Sequence, residues 1–494
     1  MTLLEIRRAP RVCAACKARK KACDKQLPAC GRCARRGLTC RYDTLTGTGP
    51  VEMDSPWTVY TAPDVNVARY NPCVASTVWS PPPHQSNLLF RSPSSTDRTS
   101  LDNMLEQRIH RLLLHSSLSV DVITERYFRS VHKYLPVVSP YLLDAATSQF
   151  KRATPRADFS LLLLCMGLLV VRPSVATTQV DESTSIELLY RTVKTIFGHV
   201  QAVICASTSL VQAALLICAY EYVSGQDAAY ITIGTCARMA HTLGINCDPT
   251  QRLGLLNDVS SLRLLEQWNV WWAVVILERL ILSEPAFRSQ LPSTQFPDQA
   301  SHLPSDLVFE GPLSPISDTH LPRPMPILSA VDADNVSSFG RQAQASHLLD
   351  HVLRSITSPS CRESLIPHMR ALDRDLQGFI SIAIAESHRI HCSAYTTAVK
   401  SFFIVHETIL ETTTAGEIDE RSRAALETAT RIMSCVAQDH LDNASVECLP
   451  LCCASNLRVG IRHMVERSSC DGLQSCLALE ARFCGRWGAD GRGL

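Results

Sequence analysis

The sequence predicts a small cysteine-stapled module at the N-terminus, a flexible linker, and a large all-α body. Three observations predict it. Six cysteines between residues 13 and 40 repeat one spacing twice. Residues 44–100 are rich in Pro, Ser and Thr and lack a hydrophobic period. From Leu101 onward the apolar residues return at helical spacing, with little strand-like alternation. The 494 residues are 46% apolar and 19% charged, which excludes collagen-like, coiled-coil and wholly disordered classes. At roughly 150 residues per domain the length suggests about three folding units. Met1 to Val12 shows no apolar signal region and carries Arg7, Arg8 and Arg11, so the 21 cysteines are expected to be reduced thiols. The longest mostly apolar run, Phe159 to Val171, falls short of the ~20 residues a bilayer-spanning helix needs and predicts a buried helix instead.

The formal net charge is +1, from 48 Lys and Arg against 47 Asp and Glu. Taken whole, that argues against a polyanionic partner. Its distribution reverses the argument. Residues 1–43 hold twelve basic and three acidic side chains, a net +9, which leaves 36 basic against 44 acidic beyond them, a net −8. Such asymmetry points to an anionic partner for the N-terminal end. A solubilising or targeting arm would carry the same charge, so the charge alone does not decide.

The cysteines do. They run Cys13-x2-Cys16-x6-Cys23-x6-Cys30-x2-Cys33-x6-Cys40, two copies of C-x2-C-x6-C with no histidine among them. Reduced thiolates at this density are soft ligands for zinc, which takes four in a tetrahedron. Six sulfurs fit one zinc badly. Two Zn2+ offer eight positions, and six sulfurs fill eight if one from each half bridges both metals; Cys13 and Cys30, which open the halves, are the expected bridges. Between Cys13 and Cys40 the other apolar residues are six alanines, Leu27 and Leu38, too few for a core. The metal must therefore supply the folding free energy, and chelation should unfold the module. Metallothionein-like storage, an iron–sulfur site and a protein-binding zinc module are the alternatives, and the two-fold spacing with interleaved basic residues counts against them.

Residues 13 to 40 resemble, at every step of the spacing, the fungal binuclear zinc cluster (Zn2Cys6) DNA-binding domain. The resemblance implies that the first and fourth cysteines bridge and that a short helix follows each C-x2-C pair, here about Lys17 to Ala22 and Ala34 to Leu38. It also implies that the first helix enters the major groove over a CGG triplet, with the lysine four residues after the second cysteine, Lys20, contacting bases. A lysine there suits the paired guanine acceptors O6 and N7. The other basic side chains, Lys17, Arg19, Lys21, Arg32 and Arg35, would contact phosphates or the groove edge, which positions the module without reading sequence. Pro28 matches the proline that turns the family's inter-helix loop.

In order along the chain, residues 1–43 form the predicted module and 44–100, with 24 Pro, Ser or Thr among 57 residues, the linker. Leu105, Ile109 and Leu112 make only about two heptads, better suited to one face of a core helix than to a coiled coil, so whether the chain is a monomer or a homodimer stays open. Residues 101–300 form a helical body, with Gly244 placed as a helix stop. Tyr127-Phe128-x5-Tyr134-Leu135-Pro136, the run from Tyr230 to Gly244, and Trp271-Trp272 with Glu278-Arg279 resemble the fungal-specific transcription factor domain, also called the middle homology region. The chain departs from it at Gln267-Trp268-Asn269, where arginines are frequent, and at Glu278, where the family has Asp. Residues 301–340 read as a Pro/Ser-rich linker or loop, and 341–494 as a helical C-terminal region. There Glu407, Glu411, Glu417, Asp419 and Glu420, near Phe402, Phe403 and Ile409, have the composition of an activation segment and equally that of a helix's solvated face.

No nucleophile elbow, phosphate loop or dinucleotide turn occurs, and His406-Glu407-Thr408-Ile409-Leu410 lacks the closing histidine of the zinc-protease motif. The expectation is a non-enzymatic nuclear regulator of RNA polymerase II transcription that reads CGG-type sites in double-stranded DNA, contacts the transcription machinery and no membrane, and controls a metabolic or secondary-metabolite gene set. The alternative is a zinc-dependent protein-interaction scaffold that does not read DNA sequence.

Overall fold

In the computed structural model of the chain, each C-x2-C pair begins one short helix, α1 over Ala14–Ala18 and α2 over Gly31–Arg35. The structure describes residues 12–26, 29–37, 40, 100, 103–105, 107–108, 111, 119–150, 156–171, 182–253, 258–307, 325–334, 336–357, 362–386, 392–413, 419–443, 446–467 and 472–487. The expected linker up to residue 99, the stretch 308–324, Pro28, Ile109, Leu112 and Glu417 lie outside them. The chain divides into two units, Met1–Pro83 and His84–Leu494.

In the first unit the helices start earlier than expected, enclosing the second cysteine of each pair instead of following it. The reason is geometric. Residues three apart share a helix face, so the C-x2-C sulfurs converge only if the turn that separates them is itself helical. Cys13 and Cys30 are the extended N-cap residues, and the Cys30 sulfur accepts from the Cys33 amide.

The second unit is helical throughout its described elements. It runs through α3 (Val120–Arg129), α4 (Pro140–Phe150), α5 (Ala157–Val170), α6 (Glu182–Val203), α7 (Thr208–Val223), α8 (Ala228–Leu243), α9 (Thr250–Leu253) and α10 (Asp258–Leu282). It continues with α11 (Ser338–Thr357), α12 (Arg362–Ala385), α13 (Cys392–Thr412), α14 (Glu420–Asn443), α15 (Cys453–Glu466) and α16 (Leu473–Trp487). The 157–170 segment is apolar around its whole circumference apart from Asp158 and Ser160, and α5 is accordingly buried along its length, packed on α3, α6 and α7. Its Leu161 and Leu163 are at most 1% exposed, so truncating either to Ala would cost about 2–5 kcal/mol. Helix α7 lies between α5 and α8 and also meets α10; α10 packs on α11, and α11 to α16 extend the same core. One hydrophobic cluster runs from Leu105 to Trp487. Among the described residues there is no β-strand, and no helix is long and apolar enough to cross a membrane.

Gly244 ends α8 at φ 66°, ψ 26°, and Ile245 N–H returns to the Ala240 carbonyl. That is the helix stop expected from sequence, made by the residue that adopts the left-handed region without a Cβ penalty.

Candidate metal centre and nucleic-acid interface

Two overlapping sulfur tetrads occupy the first unit. Cys13, Cys16, Cys23 and Cys30 bring four Sγ atoms within 4.8 Å of one another, and Cys13, Cys30, Cys33 and Cys40 do the same. Cys13 and Cys30 belong to both, the arrangement that six ligands for two tetrahedral ions require. The separations Cys13–Cys30, Cys13–Cys33 and Cys16–Cys30 are 3.8, 3.7 and 3.8 Å. A tetrahedron with metal–sulfur bonds of ~2.3 Å has edges of ~3.8 Å, whereas a disulfide would bring the sulfurs to ~2.05 Å. The residues fit zinc.

The protein atoms around the sulfurs suit thiolates. Cys30 N–H points at the Cys40 sulfur at 3.2 Å, and Cys33 N–H at that of Cys30 at 3.4 Å. Burial pushes the Cys13 and Cys33 thiols up, while Cys23, whose sulfur accepts from the Cys13 backbone amide, is lowered to about 7. At Cys30 the Cys33 amide pulls down, but burial and the neighbouring thiols outweigh it and raise the group to about 12. Burial thus favours the protonated thiol at Cys13, Cys30 and Cys33, and metal binding there must displace those protons.

Asp24, an acidic residue in a basic segment, is committed to the fold. Both its carboxylate oxygens accept from Gly31 N–H, at 3.0 and 3.1 Å, which ties the loop between the halves to the start of α2. A Cβ at Gly31 would lie 2.6 Å from Asp24 Oδ2, so a larger residue there would push the carboxylate off the Gly31 amide. Sequence reasoning missed this pair.

Of the six basic residues singled out, Lys17, Arg19, Lys20, Lys21 and Arg35 are exposed and Arg32 is half-buried. Lys20 has a left-handed backbone, as do Lys25 (φ 61°) and Leu307 (φ 52°) among the described non-glycine residues. It follows α1 at φ 48°, with its N–H on the Lys17 carbonyl, while Lys21 N–H reaches the Cys16 carbonyl. This is a Schellman ending, whose left-handed position normally takes glycine. The second half of the module shows what the alternative looks like: Gly37, seventh after Cys30 as Lys20 is seventh after Cys13, has φ 59°. A side chain in this region costs ~1–2 kcal/mol. The chain holds a lysine where its own repeat holds a glycine.

In the second unit the aromatic pair Trp271 and Trp272 is core, 3% and 0% exposed, as is Met239, while Arg238 is exposed and donates to the Gly234 carbonyl. The departures at 267–269 have work of their own. Asn269 donates to the carbonyls of Pro136 and Ser305 and accepts from Ser305 N–H; Trp268 and Trp272 both donate to the His302 carbonyl; Gln267 donates to Thr208. Glu278 and Arg279 form a buried cluster with Asp350 and Thr294, in which Arg279 Nε meets Asp350 Oδ1 at 2.5 Å. In the acidic stretch of α13 and α14, Phe403 and Ile409 face the core at 1% and 2% exposure, and Glu407 is paired with Arg462 and His463. His406 bonds Asp373 and Ser422, but the Ser422 hydroxyl is given to Asp419, so this buried chain ties α12, α13 and α14 together and presents no activated hydroxyl.

Residues 11–48 match the family model described as the fungal Zn(2)-Cys(6) binuclear cluster domain, and residues 124–359 that described as the fungal specific transcription factor domain. A relative, Transcription factor BOA15 of Botryotinia fuckeliana (strain B05.10), is 33% identical over 136 residues, which are 27% of this chain and 72% of that protein. No solved structure matches the chain.

Proposed function

Since the chain belongs to the fungal Zn(2)-Cys(6) zinc-cluster transcription factors, we propose that its N-terminal unit holds two Zn2+ on the six cysteines and reads CGG-type triplets in double-stranded DNA through Lys20. Lys17, Arg19, Lys21, Arg32 and Arg35 hold the phosphates on either side. The helical body then sets when the bound protein engages the transcription machinery in the nucleus, for a metabolic or secondary-metabolite gene set. The observation that supports base reading best is the left-handed backbone of Lys20, four residues after Cys16. Glycine serves the same turn at Gly37, so backbone geometry gives no reason for a lysine, and the side chain must be the reason.

The test is direct. The zinc-loaded full chain should shift a CGG-containing duplex at concentrations ~10³-fold below those needed for a scrambled duplex of equal length, the gap that separates specific from non-specific binding. Equal affinity for the two, with zinc present, would overturn sequence-specific reading, and the interaction-scaffold alternative is then judged by salt, since a steep fall of affinity with added salt marks phosphate contact and counts against it. Mapping bound sites across the genome then identifies the genes under control.

A further inference from the structure

Asp24 is the one acidic side chain among the described residues of the first unit. Charge alone argues against it there. Six thiolates outweigh the charge of two Zn2+, and phosphates are anionic too, so a carboxylate beside the sulfurs opposes both the cluster and DNA. Its contacts give the reason for its place. Among the described residues no lysine or arginine pairs with it; both its oxygens accept from Gly31 N–H, and Oδ1 also lies 3.4 Å from Gln26 N.

These bonds join the two halves of the module beside their shared ligand. Asp24 follows Cys23, which belongs to the first sulfur tetrad only, and Gly31 follows Cys30, which belongs to both. The Lys25 backbone amide donates to the Cys23 sulfur, which fixes the start of the loop. The Asp24 carboxylate then fixes its end, at the first residue of α2. The fit is close, since a Cβ at Gly31 would meet that carboxylate at 2.6 Å. The other half of the repeat lacks the pair: the residues that follow Cys40 and Cys13 are Arg41 and Ala14. An acid and a residue without a Cβ thus occur together where the chain crosses from one half to the other.

We infer that Asp24 is a positioning residue for both the metal and the DNA. It holds the peptide after the shared ligand Cys30, and with it Arg32 and Arg35 on α2, in place relative to Lys20 at the end of α1. The DNA half of this inference rests on the reading proposed above, whereas the metal half does not. Removing a group that holds a ligand from outside typically changes metal affinity by about 10–100-fold. Asparagine keeps an oxygen acceptor for Gly31 N–H and removes the charge; alanine removes both. The two substitutions therefore separate position from electrostatics.

The test uses the zinc-loaded full chain with Asp24→Asn, Asp24→Ala, Gly31→Ala and the double alanine variant, and follows zinc release to 4-(2-pyridylazo)resorcinol by absorbance. Asp24→Ala should release zinc about tenfold faster than the parent or more, with Asp24→Asn within about threefold of it. Gly31→Ala should speed release from the parent but add little in the Asp24→Ala background, because the clash it creates is with the carboxylate. On DNA, Asp24→Ala should shrink the ratio of CGG to scrambled affinity about tenfold, while Asp24→Asn should keep that ratio and bind both duplexes more tightly. Equal release from the parent and Asp24→Ala, equal release from the Asn and Ala variants, additive effects of the two alanines, or an Asp24→Ala variant with the parent's duplex ratio would each overturn the proposal. Should Asp24→Ala hold no zinc at all, full loading of Asp24→Asn supports the proposal and failure of both overturns it. A parent that does not discriminate between the duplexes would overturn the DNA reading and the DNA half with it, and zinc release would still decide whether Asp24 positions Cys30.

Discussion

At the scale of single residues, Lys20 makes an unusual prediction because stability and function should move in opposite directions. Lys20→Ala should cost ~1–3 kcal/mol of binding and relax specificity at the contacted base. Lys20→Gly should lose the same recognition yet leave the zinc-loaded module as stable as the parent, or up to about 1 kcal/mol more so, because glycine relieves the φ of 48°. Duplex titration and thermal melting of the same two variants check both halves; a Gly variant that melts well below the parent sinks the strain argument. Lys20 was legible from its place after Cys16, but the strain was not, since it needs the backbone. The repeat does hold a trace of it, in Lys20 and Gly37 at equal steps from their opening cysteines. Asp24 was illegible, because a carboxylate in a basic segment reads as charge balance until its two bonds to Gly31 are seen. A second residue prediction concerns Glu266, which burial raises to about 7 although Ser139 N–H bonds it at 2.6 Å. Its folded pKa lies above the ordinary 4.5, so the folded state holds the proton more tightly. The associated stability is complete below about pH 4.5 and is lost as pH rises through 7, a change of roughly 3 kcal/mol. Glu266→Gln keeps an acceptor for Ser139 and should flatten the melting temperature of the body across that window.

At the scale of elements, α10 shows why helix periodicity reads the class of a fold more easily than its joints. Its apolar run marks it as core, yet what fixes its neighbours is polar: Gln267, Asn269, Glu278 and Arg279 bind, in turn, the start of α7, the 136–139 and 302–305 segments, the 293–294 turn, and Asp350 on α11. Glutamate at 278 is long enough to accept from both Ser293 and Thr294 amides while holding Arg279, a set of contacts that replaces whatever a shorter Asp would make. The sequence could name Gln267, Asn269 and Glu278 as departures from a family pattern, and Arg279 as a match to it, but could not find partners tens of positions away. Arg279 is 1% exposed and stands between two buried carboxylates, Glu278 and Asp350. Arg279→Ala should therefore destabilise the body by ~3–5 kcal/mol, because Glu278 loses its cation and Asp350 keeps only Arg354, at 2.8 Å, against its desolvation. Arg279→Lys should recover little, since one ammonium cannot serve Asp350, Glu278 and the Thr294 carbonyl from the fork that Arg279 uses. Denaturant unfolding of the three proteins would measure the ordering; a Lys variant as stable as the parent would show that charge alone suffices.

At the scale of the whole chain, the two units are stabilised by different physics, and that difference can be measured. The N-terminal unit has at its centre four buried cysteines with Cys23 and Cys40 beside them, while the second unit has one apolar cluster from Leu105 to Trp487 and, among the described residues, no further group of metal-ligating side chains. A strong chelator should therefore abolish DNA binding and the order of the N-terminal unit, yet leave the helical circular dichroism and the melting transition of the body within error of the zinc-loaded values. Cobalt substitution gives a second reading of the same site: thiolate-to-metal charge-transfer absorption should saturate at two ions per chain if Cys13 and Cys30 bridge, and at one if the tetrads do not fill together. The near-zero net charge carries the matching electrostatic prediction. Because +9 resides in residues 1–43 and −8 in the remainder, DNA affinity should fall steeply with added salt despite a neutral whole, and neutralising a residue proposed to contact phosphate, such as Arg35, should flatten the slope of log K against log salt by ~1 while lowering affinity equally for CGG and scrambled duplexes. Lys20→Ala should act differently, narrowing the gap between the two duplexes. A chain whose affinity is flat with salt would carry its charge asymmetry for some purpose other than DNA.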